Sequence, residues 1–310
     1  MEALREAGHR VIPVGVSKQG AWFLADGSRR PLHAEGREVS LQVPEGRLTS
    51  GNDEVTFDVV FPVLHGPFGE DGTIQGALEM TGVPYVGCSV LSSALAMEKD
   101  LAKRLFVAAG LRTARWQVVR SGNMEDAAAV VDGVIDDLGL PVFVKPAQLG
   151  SSVGVSRATT EAEVKEGLEE AFRYGKKALV EEAIRGREIE VAVLDGKASV
   201  PGEVITRTDW YDYEAKYHDE TSEFVAPAAL NEAQQARVRL LAEQAFRLLE
   251  CRALARVDFL FEEGGRGFLL NEVNTMPGFT PISGYPKMCI ASGMTYAELC
   301  DELVKIALRG

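Results

Sequence analysis

The stretch FLLNEVNTMPG, residues 268–278, places a carboxylate and an amide two positions apart at the end of an apolar run and then closes with a Pro-Gly turn. Alternate side chains of a strand share a face. One face is therefore expected to carry Phe268, Leu270, Glu272 and Asn274, and the other Leu269 and Val273. Two hard oxygen ligands would then project together, although a strand end with solvated polar residues is the simpler interpretation of an isolated Glu-x-Asn pair.

The preceding apolar segment, ARVDFLF at 255–261, carries a second polar pair. Strand alternation places Arg256 and Asp258 on one face, and a neighbouring antiparallel strand could bring Asp258 beside Glu272 and Asn274. Three such oxygen donors suit Mg²⁺, which takes few protein ligands and completes its shell with water and phosphate oxygens. An Arg-Asp ion pair that closes a strand is the competing interpretation, and the loop described next favours the metal.

A loop at 144–154, VKPAQLGSSVG, indicates phosphate binding. Lys145 ends an apolar strand, and the Gly-Ser-Ser-x-Gly segment that follows could wrap a phosphate with backbone amides and hydroxyls. The pattern matches neither the P-loop nor the dinucleotide fingerprint. A Gly/Ser hairpin without a ligand is the alternative for this loop, and Lys99 in AMEKDLAK could be a plain exposed helical lysine.

Composition excludes several classes of function. The 310 residues carry a formal net charge of −13 without a Lys/Arg run, which argues against affinity for nucleic acid. No apolar run approaches the ~18 residues that span a bilayer, and the N-terminus lacks the apolar core of a signal peptide, so no membrane association and a cytoplasmic location are expected. The four cysteines show no C-x-x-C spacing and are expected to be reduced.

The order of predicted elements divides the chain into three domains. Residues 1–94 alternate strand, loop and helix as in a doubly wound α/β unit, with apolar strands at 10–16 and 57–66. Residues 95–180 form an α+β module that opens with one helical run ending at Gly110. Residues 181–310 form a second α+β module, interrupted at 206–226 by a long aperiodic loop of the kind that is usually functional or disordered.

Seven motifs in order resemble those of the D-alanine–D-alanine ligases of the ATP-grasp fold, and the resemblance runs through nearly all of the chain. They are HGPFGEDGTIQG, AMEKDLAK, VKPAQLGSSVG, VEEAIRGREIEVAVL, YDYEAKY, RVDF and NEVNTMPGFTPIS. The resemblance implies α/β and α+β architecture, with a truncated doubly wound N-terminal domain and two α+β modules that enclose ATP.

The resemblance also implies a nucleotide site. Lys99, Lys145 and Lys216 would serve ATP, the hinge from Glu181 through Glu182 to Ile184 would contact adenine through backbone groups, and Glu188 would bind the ribose. Asp258, Glu272 and Asn274 would hold two Mg²⁺ ions, with Mn²⁺ as a substitute. These ions would bridge the nucleotide phosphates.

The implied reaction makes the D-Ala-D-Ala dipeptide, a peptidoglycan precursor, through a D-alanyl phosphate. Arg256 and the backbone N–H of Gly278 would stabilise the oxyanion, and Ser283 would hold the carboxylate of the second D-alanine. Tyr217 would bond with Ser151 under a lid formed by residues 206–226, for which an ordinary surface loop is the alternative. His65 would contact the first D-alanine, unless it is a buried structural histidine.

Two other functions stay open at this point. One is another ATP-grasp ligase, such as a D-alanine–D-lactate enzyme, although the tyrosine at 217 favours an amine nucleophile by resemblance. The other is a nucleotide-binding protein with impaired catalysis. Family resemblance also allows a homodimer through the first domain, and Gly284 stands where many relatives carry a larger apolar residue.

The start of the sequence generates the first prediction. Relatives begin with a strand, a Gly-rich turn and a glutamate that binds the amino group of the first D-alanine, whereas MEALREAGHRV resembles the first helix. About 20 to 25 residues of a typical ~30-residue βαβ unit would precede it. We expect the chain, expressed from Met1, to release phosphate weakly or not at all with ATP and D-alanine. Normal turnover would contradict the role inferred for that glutamate.

Overall fold

A computed structural model describes residues 1–26, 35–43, 45–150, 153–205 and 223–310. Its elements form three sheets with helices packed against them. Within this part of the chain, no helix combines the length and apolar character that crossing a bilayer requires.

The strands of the N-terminal sheet are antiparallel throughout. Its strands pair in chain order: β1 (Val14–Val16), β2 (Trp22–Leu24), β3 (Arg37–Gln42), β4 (Arg47–Ser50) and β5 (Asp53–Thr56). A doubly wound unit is expected to contain parallel strand pairs. Among the described residues of this domain, the parallel pairing found is one isolated bridge, between Val60 and Tyr85. Helix α2 (Thr73–Glu79) connects the two bridge segments, as in a βαβ crossover.

The single helical run expected to end at Gly110 is two helices in the structure, so that prediction was wrong. Helix α3 (Val90–Met97) stops at Glu98, whose φ of −85° and ψ of 84° leave the helical region, and α4 (Lys99–Ala108) begins directly after it. The backbone N–H of Lys99 donates to the carbonyl of Ala147 at 3.1 Å instead of continuing the helix. The break therefore joins the start of α4 to the loop expected to bind phosphate.

The central sheet has the strand order β6-β9-β7-β8 and is antiparallel throughout. Its strands are β6 (Trp116–Arg120), β7 (Val142–Pro146), β8 (Ser156–Ala158) and β9 (Lys177–Glu182). A 3₁₀ turn (Ser121–Asp126) leads into α5 (Ala127–Leu138), and α6 (Glu161–Ala171) packs beside α5. Aliphatic residues of both helices and the sheet form one buried cluster, including Val134, Val144 and Leu168.

The C-terminal sheet has the main order β13-β12-β10-β14-β15, and β11 pairs with β10. Its strands are β10 (Arg187–Leu194), β11 (Lys197–Ala198), β12 (Gly202–Ile205), β13 (Glu223–Val225), β14 (Leu254–Glu262) and β15 (Gly267–Asn274). Helix α7 (Glu232–Leu248) packs against β10, β14 and β15, and α8 (Gly284–Ala291) and α9 (Tyr296–Arg309) complete the chain. Capping boxes fix the starts of α7 and α9.

Alternation along β10 separates a core face from a polar face. Ile189, Val191 and Val193 are fully buried in the cluster beneath α7, while Glu188 and Glu190, which alternate with them in sequence, are only partly buried. The polar side chains of β10, β14 and β15 therefore collect on the face of the sheet that points away from α7.

Packing of the central module gives the second prediction. Leu168 on α6 is fully buried, so Leu168→Ala removes core contacts and leaves a cavity. We expect it to lower the free energy of unfolding by about 2–5 kcal/mol in denaturant titrations. Glu169→Ala, an exposed neighbour on the same helix, should change it by less than about 0.5 kcal/mol. Equal losses in the two variants would contradict this account of the core.

Candidate active site

Two carboxylates face each other across β14 and β15. Asp258 is the direct antiparallel partner of Glu272, and Arg256 is the partner of Asn274. The adjacency expected from the sequence is thus confirmed for the positions of these residues. The structure leaves their proposed role in metal binding untested.

The face predicted for the start of β15 was wrong, because the strand contains a bulge. Phe259 pairs with Leu270 while Asp258 pairs with Glu272, which leaves Asn271 as an extra residue. Phe268, Leu270 and Val273 accordingly share the core beneath α7. The bulge turns Glu272 and Asn274 to the opposite face, beside Asp258, as bulges near functional sites commonly do.

The guanidinium of Arg256 lies between two carboxylates of this face. Its Nε and Nη2 donate to the two oxygens of Asp258 at 2.7 and 2.6 Å, and Nε lies 3.3 Å from Oε2 of Glu190. Burial alone would lower the pKa of Arg256, but Asp258 and Glu190 outweigh burial and raise it well above its ordinary value. Arg256 is therefore a fixed positive charge in the site.

Lys99 connects the carboxylate face to the loop expected to bind phosphate. Its Nζ donates to the carbonyl of Leu149 at 2.7 Å and lies 3.6 Å from Oε2 of Glu272. The side chain is mostly buried, at 11% exposure, so the plain exposed lysine considered from the sequence is excluded. Lys99 stands where it can offset charge on a phosphate bound between the two modules.

Glu181 is a buried carboxylate held by two lysines. Lys145 lies 2.8 Å from one of its oxygens and Lys103 lies 3.2 Å from the other. Burial alone would raise the pKa of Glu181, but the two ammonium groups outweigh burial and hold it below its usual range. Burial dominates at Lys103 and lowers the pKa of that lysine.

Sequence reasoning missed Lys103, although a signal for it was present. Lys103 follows Lys99 by four positions, a spacing that places both lysines on one face of α4. Its side chain is 1% exposed and also donates to the hydroxyl of Thr113 at 2.6 Å. Lys103 therefore fixes the end of β9 against α4.

The hinge expected to contact adenine begins where β9 ends. The Glu182 carboxylate accepts the backbone N–H of Arg115 at 2.8 Å and pairs with Arg266 at 2.7 Å. Burial would raise the pKa of Glu182, but these donors together lower it. The carboxylate is thus committed to structural partners, consistent with adenine contacts made by backbone groups. Ile184, two residues after Glu182, is half-buried. Glu188 lies opposite Leu260 of β14.

Glu70 is a second group that sequence reasoning missed. Its carboxylate accepts the backbone N–H of Gly66. Burial raises its pKa and the nearby Glu272 adds to the effect, against the opposing influence of His65 and Lys99. Glu70 therefore belongs to the same electrostatic environment as the Lys99–Glu272 pair. His65 itself is exposed, so the buried structural histidine is excluded, while its contact with substrate stays a prediction.

The turn between β15 and α8 brings Gly278 and Ser283 together. A Cβ placed on Gly278 would lie 3.0 Å from Oγ of Ser283. The Ser283 hydroxyl bonds with Oγ1 of Thr280 at 2.8 Å, and Ser283 is the N-cap residue of α8. The turn can thus offer backbone N–H groups and a hydroxyl to an anion at the start of a helix.

Three predicted site residues, Ser151, Lys216 and Tyr217, lie outside the described residues, as does most of the loop at 206–226. In the described residues, no group of three or more His, Cys, Asp or Glu side chains has an arrangement suited to a metal. The donor set of Asp258, Glu272 and Asn274 contains an amide, and its hard oxygens fit Mg²⁺. The Asn274 side-chain oxygen also accepts the Met276 N–H at 3.0 Å, which leaves one lone pair for an ion.

Comparisons with known proteins agree along the chain. The family model described as D-ala D-ala ligase N-terminus matches residues 1–88, and that described as D-ala D-ala ligase C-terminus matches residues 105–305. A D-alanine–D-alanine ligase of Halothermothrix orenii is 42% identical over 311 residues, covering 97% of this chain and 89% of that protein.

Solved structures give the same result. D-alanyl-alanine synthetase A from Vibrio cholerae has a TM-score of 0.87 and 33% identity, covering 100% of this chain and 91% of that chain. A D-alanine–D-alanine ligase from Bacillus anthracis, complexed with ATP, has a TM-score of 0.70 and 29% identity, covering 82% and 80% of the two chains.

The buried Glu181 gives the third prediction. Its pKa is depressed in the folded state, so the ionised carboxylate stabilises the fold above its usual value of 4.5, and this stabilisation is lost as the pH falls through the folded value. We expect the free energy of unfolding to fall more steeply between about pH 5 and pH 3 for the unmodified chain than for Glu181→Gln. If the free energy of unfolding, measured by denaturant titration, depends on pH in the same way in both proteins, Glu181 is not the group responsible. Glu169→Gln, at an exposed position, is the control.

Proposed function

The chain belongs to the D-alanine–D-alanine ligase family, whose members have the ATP-grasp fold, and from that membership we propose that it joins two D-alanine molecules at the expense of ATP. The observation that carries the proposal is the juxtaposition of Asp258 and Glu272 on adjacent strands, with Lys99 3.6 Å from Glu272. The 42% identity to a D-alanine–D-alanine ligase over 97% of this chain, and the match of residues 105–305 to the family model, support the same reaction. The product would be a peptidoglycan precursor.

We assign two divalent ions to the face formed by Asp258, Glu272 and Asn274. When bound, Mg²⁺, or Mn²⁺ in its place, would neutralise charge on the nucleotide phosphates. Lys99 borders the same face, and together with Lys145 of the central sheet it would neutralise further phosphate charge as the γ-phosphoryl group leaves. Glu181 orients Lys145, because its carboxylate lies 2.8 Å from the ammonium nitrogen.

The chemistry requires activation of a carboxylate before it meets an amine. The first D-alanine would attack the γ-phosphorus through a carboxylate oxygen, so that the bond from the γ-phosphorus to the β,γ-bridging oxygen of ATP breaks and ADP leaves. The amine of the second D-alanine would then attack the acyl carbon of the D-alanyl phosphate. The tetrahedral centre then collapses, the bond from the acyl carbon to the phosphate oxygen breaks, and the leaving phosphate takes up the proton that the amine loses.

Arg256 and the backbone N–H of Gly278 would stabilise the negative oxygen of that tetrahedral centre. Arg256 is suited to this task because it is buried, permanently charged and already oriented by two carboxylates. Ser283, beside Gly278, would receive the carboxylate of the second D-alanine. Glu188 would bind the ribose, and backbone groups from Glu181 to Ile184 would contact adenine.

The remaining family-derived roles stay proposals. Lys216, Tyr217 and Ser151 would act on ATP and substrate from segments outside the described residues, and His65 would contact the first D-alanine. The three domain boundaries, the homodimer and the cytoplasmic location are also still predictions.

Phosphate release measured separately with D-alanine, D-lactate and L-alanine distinguishes a D-alanine–D-alanine ligase from a depsipeptide ligase. ATP binding without D-alanine-dependent release would indicate a protein that binds nucleotide but does not ligate.

The carboxylate face gives the fourth prediction. Substituting a residue that only hydrogen-bonds to a metal ligand already lowers metal affinity or activity about 10–100-fold. Glu272 is assigned as a direct ligand, so Glu272→Gln should raise the Mg²⁺ concentration needed for half-maximal phosphate release at least ~10-fold. The effect follows from the loss of a formal charge at the metal. Glu262→Gln, on the hairpin beyond the site and paired with Arg266, is the matched control. An unchanged Mg²⁺ requirement in Glu272→Gln would contradict the assignment of this residue as a ligand.

A further inference from the structure

Glu190 stands beside the arginine assigned to the oxyanion, and neither motif nor resemblance assigns it a role. It lies on β10 directly opposite Asp258 of β14. Its Oε2 is 3.3 Å from Nε of Arg256, while Asp258 holds the same guanidinium through Nε and Nη2. The side chains of Glu190, Asp258 and Arg256 are only 11–13% exposed. The guanidinium is therefore held from two strands at once.

The same carboxylate also reaches the start of α8. A Cβ placed on Gly284 would lie 2.7 Å from Oε2 of Glu190 and 2.9 Å from the ring of Phe224. Separations below 3.0 Å require one of the neighbours to move. A glycine at 284 thus leaves the space that the Glu190 carboxylate occupies. Glu190 consequently touches both Arg256 and the turn that contains Ser283.

Asp258 holds the guanidinium of Arg256 from the same strand, two residues along the chain, and is also assigned to a metal. Glu190 supplies a second attachment from β10 that does not depend on a metal ligand. Such support matters because a misplacement of about 1 Å can cost ~100-fold in rate.

We propose that Glu190 is a positioning residue for the ligation step: it fixes Arg256 relative to the Ser283–Gly284 turn, so that the oxyanion donor and the carboxylate site of the second D-alanine keep a constant separation. The proposal rests on the proposed function. A residue bulkier than glycine at position 284 would displace Glu190 from Arg256.

The fifth prediction separates the two chemical steps. Exchange of oxygen between the β,γ-bridge and the β-nonbridging positions of labelled ATP, in the presence of D-alanine, measures reversible acyl phosphate formation. Dipeptide formation measures both steps. We expect Glu190→Ala to lower dipeptide kcat ~100-fold while exchange and the KM for ATP stay within about 3-fold. Glu190→Gln, which keeps an oxygen acceptor, should recover most of the loss.

Glu203→Gln is the matched control. Glu203 lies on β12 of the same sheet and holds Arg187 through two hydrogen bonds of 2.7 and 2.6 Å, outside the assigned machinery. Glu203→Gln weakens a carboxylate–arginine pair of the same sheet and therefore shows what such a change does to the fold alone. We expect its dipeptide kcat to stay within about 3-fold of the unmodified chain.

Gly284→Ala tests the contact from the other side. If its added methyl displaces Glu190, this variant should show the same selective loss of dipeptide formation. The double variant of Glu190→Ala and Gly284→Ala should then lose no more dipeptide kcat than the more impaired of the two single variants, because both changes interrupt one interaction. Multiplied losses would overturn the contact as the cause.

A spectroscopic measurement makes the proposal independent of turnover. The Nε–H signal of Arg256 in ¹⁵N-arginine-labelled protein, identified by its disappearance in Arg256→Lys, should shift in Glu190→Ala and Gly284→Ala but not in Glu203→Gln. An unshifted signal in both site variants overturns the proposal. So does a Glu190→Ala enzyme that keeps its dipeptide kcat, or one that loses exchange and ligation equally. Weak or absent D-alanine-dependent phosphate release from the chain expressed from Met1 bears on the proposed function and not on this contact, because the Arg256 signal decides by itself whether Glu190 orients Arg256.

Discussion

The antiparallel pairing of β14 with β15 is the constraint on which the rest of the site depends. It sets Asp258 against Glu272 and Arg256 against Asn274, and the bulge at Asn271 turns the last part of β15 so that these side chains share a face. Without that bulge, strand alternation would direct Glu272 into the core beneath α7. One extra residue in a strand thus decides whether the sheet can present its carboxylates to a ligand.

A second group of buried charges joins the modules on either side of that face. Glu181 at the end of β9 binds Lys145 of the central sheet and Lys103 of α4, and Lys99 of the same helix reaches Glu272 of the C-terminal sheet. Removing one partner of such a buried set leaves an uncompensated charge, which is strongly destabilising. The same ionic contacts that hold the lysines in place therefore also hold the modules in register.

Much of this arrangement could be predicted from the sequence, because strand periodicity and motif order are local properties. The pairing of Asp258 with Glu272 follows from two adjacent strands with polar residues at alternate positions. The break at Glu98 could not be predicted, since it depends on a hydrogen bond from Lys99 to Ala147, a residue distant in sequence. Glu190 was missed for a similar reason: its importance arises from contact with Arg256 across a strand pair.

The central claim is that this face binds divalent ions together with the nucleotide. The most direct test is a count of Mn²⁺ ions bound per chain, by electron paramagnetic resonance, in the presence of a non-hydrolysable ATP analogue. We expect two ions per chain with the analogue and a loss of tight binding in a variant carrying Asp258→Asn and Glu272→Gln together. Unchanged Mn²⁺ binding in that variant would contradict it.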